Sequence, residues 1–499
     1  MNRPSPDEIR TAHATIRNHE QEVNSIDIAM SDLSEQLRQL TAERKRHLDA
    51  LAKCREFLSL VPRLPDEVLI LIFEHSVREW DYAPLVISHV CTKWRRASFF
   101  PQLWSHIQLG GEPDYLVEKT RLWLSRALQS PLSVTFYTSY RRPYRHTSCA
   151  FKLTLDRASQ WRTLTVRTLY IYEASAILSE CRRPLPNLHR LDVSCEKLRG
   201  DEDEILLTGL DQVFVDAPSL SVIRISCESF PLSLPPTVVD LCLELECSEL
   251  YCLSYAKMLT TLPTLQKLQR LTLVLEPKYS QPIIIPENPA PDICLQHLEC
   301  LIIRTQPGYY NHILRYLRTP ILRCLHLQQG PRSPYYESPR EDIDEILLQF
   351  LRSSNPSIRL LELYNVDIPS NDMAQCFFSL PLLEELCFNR SKISEGALLP
   401  LHGPIGACPR LKRIFLRRCE NLAGQALIDL VRSRVDSSGN QWGPSFDPIE
   451  EITVIRCALV NDSHILDLAH ITACNVVEWG LECHYRMSPN HQLIEPRLF

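Results

Sequence analysis

The chain has 499 residues, which is too long for a single core of ordinary size, so more than one structural unit is expected. Hydrophobic residues make up 44% and charged residues 23%, as in a globular protein rather than a disordered one. A net charge of −6 gives no reason to expect binding to nucleic acid or a membrane surface, and only 13 glycines disfavour glycine-rich phosphate loops.

The N-terminal segment is polar and charged, so we do not expect a signal peptide. The sequence lacks an 18-residue apolar run, so we do not expect a transmembrane helix either. We therefore expect a cytoplasmic and/or nuclear protein, whose 19 cysteines are free thiols that mostly belong to the core.

Residues 1–58 are predicted to form an N-terminal heptad helix, because residues 8–58 lack glycine and proline and apolar residues recur every seven positions. The first line is Ile9, Ile16, Val23, Met30, Leu37, Arg44, Leu51 and Leu58, and the second is Ala12, His19, Ile26, Leu33, Leu40, His47 and Cys54. Such a narrow stripe favours a coiled coil, by self-association or with another protein. The alternative is a lone amphipathic helix packed on the rest of the chain.

Residues 59–110 are predicted to form a compact helical unit. Pro65 suits the first position of a helix, Asp66 and Glu67 suit its positive N-terminus, and the helix is expected to run to about Val77. The run from Val68 to Phe73 is apolar throughout. A unit of this size cannot bury both sides of such a helix, so we expect a partner to cover the remainder.

From about residue 160 an apolar-x-x-apolar-x-apolar pattern recurs, in which the last two positions indicate a short strand with one buried face. The eleven copies are Trp161–Leu164–Val166, Leu188–Leu191–Val193, Leu220–Ile223–Ile225, Val238–Leu241–Leu243, Leu268–Leu271–Leu273, Leu298–Leu301–Ile303, Leu322–Leu325–Leu327, Ile358–Leu361–Leu363, Leu383–Leu386–Phe388, Leu411–Ile414–Leu416 and Ile449–Ile452–Val454. Helix-like segments lie between them. The pattern predicts an α/β solenoid over residues 161–480, with residues 111–160 as a connector and residues 481–499 as a tail.

The helical unit resembles an F-box domain. The matching positions are Leu64, Pro65 and Glu67 at the helix start, Ile72 and Phe73 one turn later, then Val90, Cys91 and Trp94, and finally Leu103 and Trp104.

The C-terminal part resembles leucine-rich repeats, best seen where Leu411, Ile414 and Leu416 form the strand and Cys419 closes the turn, with Ser391 in place of that cysteine in the preceding repeat. A heptad helix, an F-box and irregular repeats in this order are typical of fungal F-box proteins.

The resemblance implies a substrate-recognition subunit of a cullin–RING ubiquitin ligase, in which the F-box binds a Skp-type adaptor and the repeats bind a protein substrate. The alternative is a non-ligase scaffold that binds a stable partner. The expected adaptor-binding residues are Leu64, Pro65, Leu69, Ile72, Phe73, Val90 and Trp94. Half of them could instead point inward and hold the helices together, and Val68 and Leu71 are expected to be internal.

Tyrosine- and proline-bearing segments follow three successive strands and predict a tyrosine-rich, substrate-binding rim, because tyrosine gives a large, rigid contact area. The residues are Tyr279, Tyr309, Tyr310, Tyr335 and Tyr336. Ordinary loop tyrosines are the alternative. A second candidate is the basic loop with Arg141, Arg142, Arg145 and His146, which suits an acidic or phosphorylated segment, although such runs are more often simply solvated.

Signatures of an enzyme are missing from the sequence. The phosphate-binding, metalloprotease and serine-hydrolase motifs do not occur, and no CxxC pair indicates a zinc site. We therefore expect no catalytic residue, no metal and no cofactor.

Overall fold

The structure is a computed structural model, and it describes the following residues: 6–58, 63–110, 113–138, 147–181, 183–197, 213, 217–227, 234–247, 258–277, 293–305, 311–330, 343–403, 406–437 and 446–476. The chain divides into two compact units, Met1–Leu103 and Trp104–Phe499.

The first unit begins with one long helix, α1 (Pro6–Leu58). Asp7 and Glu8 lie in its first turn, where negative charge stabilises the helix N-terminus. The apolar stripe of the heptad pattern is exposed, from Ile9 at 43% to Leu37 at 68%. All of the described side chains of α1 are exposed, so the structure does not support packing of this helix on the rest of the chain. Pairing with another helix remains a prediction.

Three short helices follow in the first unit: α2 (Asp66–Glu79), α3 (Ala83–Val90) and α4 (Thr92–Ser98). All three contact one another. Their shared core contains Leu69 and Phe73 of α2, Ile87 of α3 and Ala97 of α4, which are exposed by 7% or less.

The second unit is built on a parallel sheet of 14 strands in chain order. The strands are β1 (His106–Leu109), β2 (Leu132–Tyr137), β3 (Trp161–Tyr170), β4 (Arg190–Lys197), β5 (Val222–Ser226), β6 (Asp240–Cys247), β7 (Arg270–Pro277), β9 (Cys300–Thr305), β11 (Cys324–Gln329), β12 (Leu360–Tyr364), β13 (Glu385–Asn389), β14 (Arg413–Arg417), β15 (Glu451–Ile455) and β16 (Ala473–Val476). Two short strands, β8 (Ile293–Cys294) and β10 (Leu317–Arg318), pair with each other.

Each strand of the large sheet aligns with its neighbour so that one apolar residue per strand continues a single row. For example, Leu361 pairs with Leu386, which pairs with Ile414 on the next strand. The only register shift in the described sheet lies between β2 and β3, at Leu132 and Ser133. A parallel sheet whose strands lie in chain order, each separated from the next by an intervening segment, is consistent with a solenoid.

Helices fill several of the segments between strands. They are α5 (Pro113–Ala127), α6 (Ser148–Leu155), α7 (Ile171–Glu180), α8 (Asn311–Tyr316), α9 (Ile343–Ser354), α10 (Ser370–Phe378), α11 (Glu395–Leu398), α12 (Gly424–Ser437) and α13 (Asp462–Ile471). Helix α9 buries Ile343, Ile346, Leu347, Phe350 and Leu351, which have helical spacing. The core lies between such helix faces and the apolar face of the sheet, which we call the inner face.

All eleven predicted strand patterns are strands of this sheet, and each of their residues is exposed by 3% or less. However, the sheet begins before residue 161. Strands β1 and β2 precede β3 in the same sheet, so the predicted connector 111–160 contributes a strand and two helices to the second unit. Strand β16 was also not predicted. The predicted tail, residues 481–499, lies outside the described residues.

A buried arginine crosslinks the C-terminal repeats. Arg434 of α12 is fully buried, and its guanidinium donates hydrogen bonds to the carbonyls of Leu401 at 2.8 Å, Cys408 at 3.1 Å and Ala407 at 3.2 Å. Burial lowers the pKa of Arg434 to about 10, although the group is still charged at neutral pH. The guanidinium therefore supplies hydrogen-bond donors to several buried carbonyls of the segment that follows α11.

The described cysteines are all free thiols, but fewer than half of them are buried, which corrects the expectation that most belong to the core. One reason is that Cys242, Cys324 and Cys387 are only half-buried on the face of the sheet opposite the inner face, which we call the open face. Cys300 lies on the same face but is buried. Among the described residues, none of the helices is long and apolar enough to cross a membrane.

Candidate functional site

The orientation of α2 is set by one stripe of apolar residues. Leu69, Phe73 and Val77 are spaced four residues apart, so they lie on one side of the helix, and they are exposed by only 1 to 2%. Pro65 precedes the helix in an extended conformation, and its carbonyl accepts the hydrogen bond from the Leu69 N–H at 3.2 Å. The helix therefore begins at a fixed residue with this stripe turned inward.

Helix α4 holds the start of α2 in place. The Lys93 ammonium donates to the carbonyl of Leu64 at 2.5 Å, and the Arg96 guanidinium pairs with Asp66 at 2.9 Å. The ring of Trp94 meets the ring of Phe73 edge to face, with centroids 5.0 Å apart. These contacts make the first turn of α2 a defined surface rather than a frayed helix end.

The other side of α2 exposes large apolar side chains. Val68 is 37% exposed, Leu71 is 65% exposed and Ile72 is 48% exposed. Helix α3 adds an exposed pair four residues apart, Val86 at 44% and Val90 at 54%. We call these five residues the apolar strips of α2 and α3. Contiguous exposed apolar surface is uncommon on monomeric proteins and marks an interaction site.

The structure separates the seven predicted adaptor-binding residues into two groups. Ile72, Val90 and Pro65 are exposed, and Leu64 and Trp94 are half-buried. Leu69 and Phe73 are buried in the core of the unit, so the expectation that they face a partner is corrected. The indole N–H of Trp94 is also buried and lacks a hydrogen-bond acceptor among the described residues.

The expectation that Val68 and Leu71 are internal is also wrong, since both are exposed. The physical reason is that the run from Val68 to Phe73 is apolar on every side, so its own composition cannot show which side faces inward. Val77 indicates which side of the helix faces inward, because it extends the four-residue spacing of Leu69 and Phe73 by another turn.

In the second unit, the edge of the sheet at the carboxyl ends of its strands is the other surface with functional groups. At its C-terminal repeats, an arginine follows directly after each of β13, β14 and β15, namely Arg390, Arg418 and Arg456. All three have a positive φ, of 53°, 52° and 54°. Because the three strands are neighbours in register, we treat these residues as one arginine row.

The unusual backbone of the arginine row has a structural reason. The Arg390 N–H donates to the Arg417 carbonyl and the Arg418 N–H to the Ile455 carbonyl, both at 2.8 Å, so the left-handed residue extends the ladder of the sheet by one bond. Glycine adopts this conformation without strain, whereas arginine adopts it at a cost of roughly 1 kcal/mol or more. Arginine therefore occupies positions at which the backbone conformation favours glycine or asparagine.

The residue after each of the three arginines is buried, and two of them, Ser391 and Cys419, contact a carbonyl of the preceding repeat. Ser391 Oγ donates to the Val366 carbonyl at 3.0 Å, and Cys419 Sγ lies 3.6 Å from the Phe388 carbonyl. The sequence assigned Ser391 and Cys419 to one equivalent position that closes the turn, and these contacts place both there.

The predicted substrate-binding tyrosines, Tyr279, Tyr309, Tyr310, Tyr335 and Tyr336, lie outside the described residues. The same is true of Arg141, Arg142, Arg145 and His146 in the basic loop. Both remain predictions. In the part of the chain that the structure describes, no group of three or more His, Cys, Asp or Glu side chains is arranged to hold a metal ion.

Comparison with known proteins gives one domain-level match. Residues 61–109 match the family described as F-box-like. None of the curated proteins matches the chain. A chain in the crystal structure of the yeast Rad7 and Elc1 complex is 12% identical, with 86% of this chain and 97% of that chain covered, at a TM-score of 0.30. A score this low does not establish a common fold. Residues 61–109, which include α2, α3 and α4 with their apolar strips, are an F-box-like domain.

Proposed function

We propose that this protein is the substrate-recognition subunit of a cullin–RING ubiquitin ligase. In this proposal the F-box-like domain binds a Skp-type adaptor, and the second unit, as a leucine-rich-repeat solenoid, binds the substrate protein. The observation that carries the proposal is the exposure of Leu71, Ile72 and Val90 on helices whose opposite sides are already buried.

The F-box-like domain exposes its apolar strips. Its core is complete without the apolar strips, because Leu69 and Phe73 are buried within the chain itself. Covering one large aliphatic side chain contributes about 1.5–3 kcal/mol. Several such side chains give enough binding energy for a specific contact with an apolar helix of a partner.

The proposed adaptor-binding surface therefore differs from the one expected from the sequence. Ile72 and Val90 stay in it, Val68 and Leu71 join it, and Leu69 and Phe73 support it from below. Trp94 supports it as well, through its ring contact with Phe73.

For the substrate, we propose that the arginine row binds an acidic segment. Its guanidinium groups are supplied by neighbouring repeats at the same level, which suits an extended chain that crosses the strands. Arginine forms paired, charge-assisted hydrogen bonds with carboxylates and phosphates. The tyrosine-rich rim of the preceding repeats is proposed as a second contact.

The mechanism in this proposal is proximity. Holding a substrate close to a charged ubiquitin carrier raises the effective concentration of its lysines, so the chemistry belongs to other subunits. We propose accordingly that this chain is not itself an enzyme.

Co-purification of the full chain tests the proposal. Wild-type protein should bring down a Skp-type adaptor and a cullin, and Leu71→Asp with Ile72→Asp should lose both while keeping its other partners. An accumulation of one of those partners in cells that carry the double variant identifies a substrate. Unchanged partner levels would favour the non-ligase scaffold, and failure of the wild type to bind an adaptor would refute both functions.

A further inference from the structure

The open face of the sheet carries a cluster of two thiols, an imidazole and a carboxylate on three adjacent strands. Cys300 of β9 and Cys324 of β11 are paired directly across the parallel ladder. His326 lies two residues after Cys324 on the same face, and it is paired with Glu362 of β12. The strand register alone therefore brings Cys300, Cys324, His326 and Glu362 together.

The side chains of this cluster are in contact. His326 Nδ1 lies 2.6 Å from Glu362 Oε2. Cys324 is the register partner of Cys300 and precedes His326 by two residues on the same face, so its side chain is a neighbour of both. The side chains of His326 and Glu362 are 25% and 38% exposed, and Cys324 is half-buried, so a small molecule in solution can reach the sulfur.

The electrostatics of the cluster favour a thiolate at Cys324. The interactions with Cys300 and, next in size, with His326 lower the pKa of Cys324 well below that of an ordinary thiol. Burial alone would lower the pKa of His326, but its bonds to Cys324 and Glu362 outweigh burial and raise that pKa to about 9. The interaction with Cys324 and burial raise the pKa of Cys300. These directions favour a thiolate at Cys324 over one at Cys300.

Other cysteines on the same face lack this environment. Burial and the nearby Glu244 raise the pKa of Cys242 to about 12, and burial and Glu362 raise the pKa of Cys387. Both are half-buried like Cys324. They serve as internal references of similar exposure.

We propose that Cys324 is a reactive thiol that hydroperoxides oxidise, and that Cys300 resolves the oxidised form as a Cys300–Cys324 disulfide. His326 holds the proton and Glu362 positions His326. Neighbouring strands lie about 4.7–4.9 Å apart, which is within the range of about 4.4–6.8 Å that separates the Cα atoms of disulfide-bonded residues. The site does not depend on the proposed ligase function.

The chemistry balances in two steps. The Cys324 thiolate attacks one oxygen of ROOH, an S–O bond forms, the O–O bond breaks, and the alkoxide leaves as ROH with the proton from His326. The Cys300 sulfur then attacks Cys324, an S–S bond forms, the S–O bond breaks, and hydroxide leaves with the Cys300 proton as water. Two thiols are oxidised by two electrons, and the hydroperoxide is reduced.

The first test measures thiol reactivity in the reduced full chain at pH 6.0 with iodoacetamide. Trypsin cleaves after Arg323 and after Arg332, so Cys324 is the only cysteine of its peptide, and mass spectrometry follows it separately. We expect Cys324 to react at least about tenfold faster than Cys242 and Cys387, because the thiolate is the reacting form. In His326→Gln, labelling of Cys324 should fall to the level of Cys387, whose own labelling should not change. Equal rates for the three cysteines in the wild type would overturn the proposal.

The second test treats the full chain with hydrogen peroxide and identifies the crosslinked peptides. The peptide of Cys300 also contains Cys294, so the experiment uses Cys294→Ser, which leaves Cys300 as the only thiol of that peptide. We expect a Cys300–Cys324 link. In Cys300→Ser, Cys324 should instead proceed to the sulfinic acid. If Cys324 is oxidised without the link while Cys300 is present, the resolving role of Cys300 is wrong.

Discussion

The F-box-like domain and the sheet of the second unit bury apolar residues in different ways. In the sheet, every strand contributes the same two inward positions, and its neighbours on both sides repeat them, as at Leu361, Leu386 and Ile414. In the domain, three unequal helices contribute a few residues each, and α2 is apolar on both sides. Repetition therefore specifies which side is inside in the sheet, whereas packing against α3 and α4 specifies it in the domain.

This difference decides where substitutions matter. On α2, two apolar residues that are two positions apart have opposite roles, since Phe73 is 2% exposed and Leu71 is 65% exposed. In the sheet, a residue two positions along a strand keeps the same role.

The largest expected effect separates these two roles. Phe73→Ala should lower the free energy of unfolding of the domain by about 3–5 kcal/mol, because it leaves a cavity beside Trp94. The matched variant Leu71→Ala should change it by less than about 1 kcal/mol, because the side chain is exposed. Chemical denaturation followed by hydrogen exchange of the peptides of α2 measures both. Similar losses for the two variants would show that the orientation of α2 is wrong.

A comparable loss is expected in the second unit from a residue outside the repeated apolar pattern. Arg434→Met should destabilise the C-terminal repeats by roughly 3 kcal/mol, because buried carbonyls lose their donors. Arg432→Met is the control, since Arg432 is exposed on the same helix. Thermal unfolding compares them, and an equal, small shift in Tm would show that Arg434 contributes no more than a surface residue.

The two cases also show what the sequence could predict. The eleven apolar patterns predict their strands, because the apolar residues of each pattern are the ones that face inward. The same spacing is present at Trp104, Ile107 and Leu109, which are buried at β1. This copy was not predicted as a strand, because Trp104 was assigned to the F-box-like motif. Similarly, Ile471 and Cys474 begin a copy of the pattern at β16 in which a cysteine replaces the usual aliphatic residue.

The site was predicted less completely than the fold, for physical reasons. The sequence identifies α2 and its apolar excess, but the inward side depends on contacts with residues of α3 and α4, such as Trp94. The cluster of Cys300, Cys324, His326 and Glu362 depends on strand register between segments that are far apart in sequence. The alternating pattern of a single strand does not reveal such a cross-strand neighbour.

The stripe of α1 extends the comparison to a helix whose described side chains are all exposed. Leu33→Asp should reduce self-association of the full chain, because Leu33 lies on the heptad seam. Ile28→Asp is the matched control, because Ile28 is exposed to the same extent, 62% against 63%, but lies off the seam. Light scattering measures both. A wild-type monomer at all concentrations would contradict self-association.

The arginine row should have a smaller effect that is confined to the substrate. Arg390→Glu with Arg418→Glu should lower recovery of an acidic partner by about tenfold, since each charge-assisted contact contributes about 1.5–3 kcal/mol less its desolvation cost. Adaptor recovery should not change. Arg432→Glu reverses a charge on an exposed helical position and should retain the partner. If it loses the partner equally, net charge rather than the arginine row determines binding.

The most direct test of the central claim is the affinity of the full chain for a purified Skp-type adaptor. Leu71→Asp should raise the Kd by at least about tenfold, because a charge would be buried at the contact. Leu466→Asp provides the matched control, since Leu466 is an apolar helix residue of the second unit with nearly the same exposure, 63% against 65%. The account predicts a weakened Kd for Leu71→Asp and a wild-type Kd for Leu466→Asp. An unchanged Kd for Leu71→Asp would contradict it.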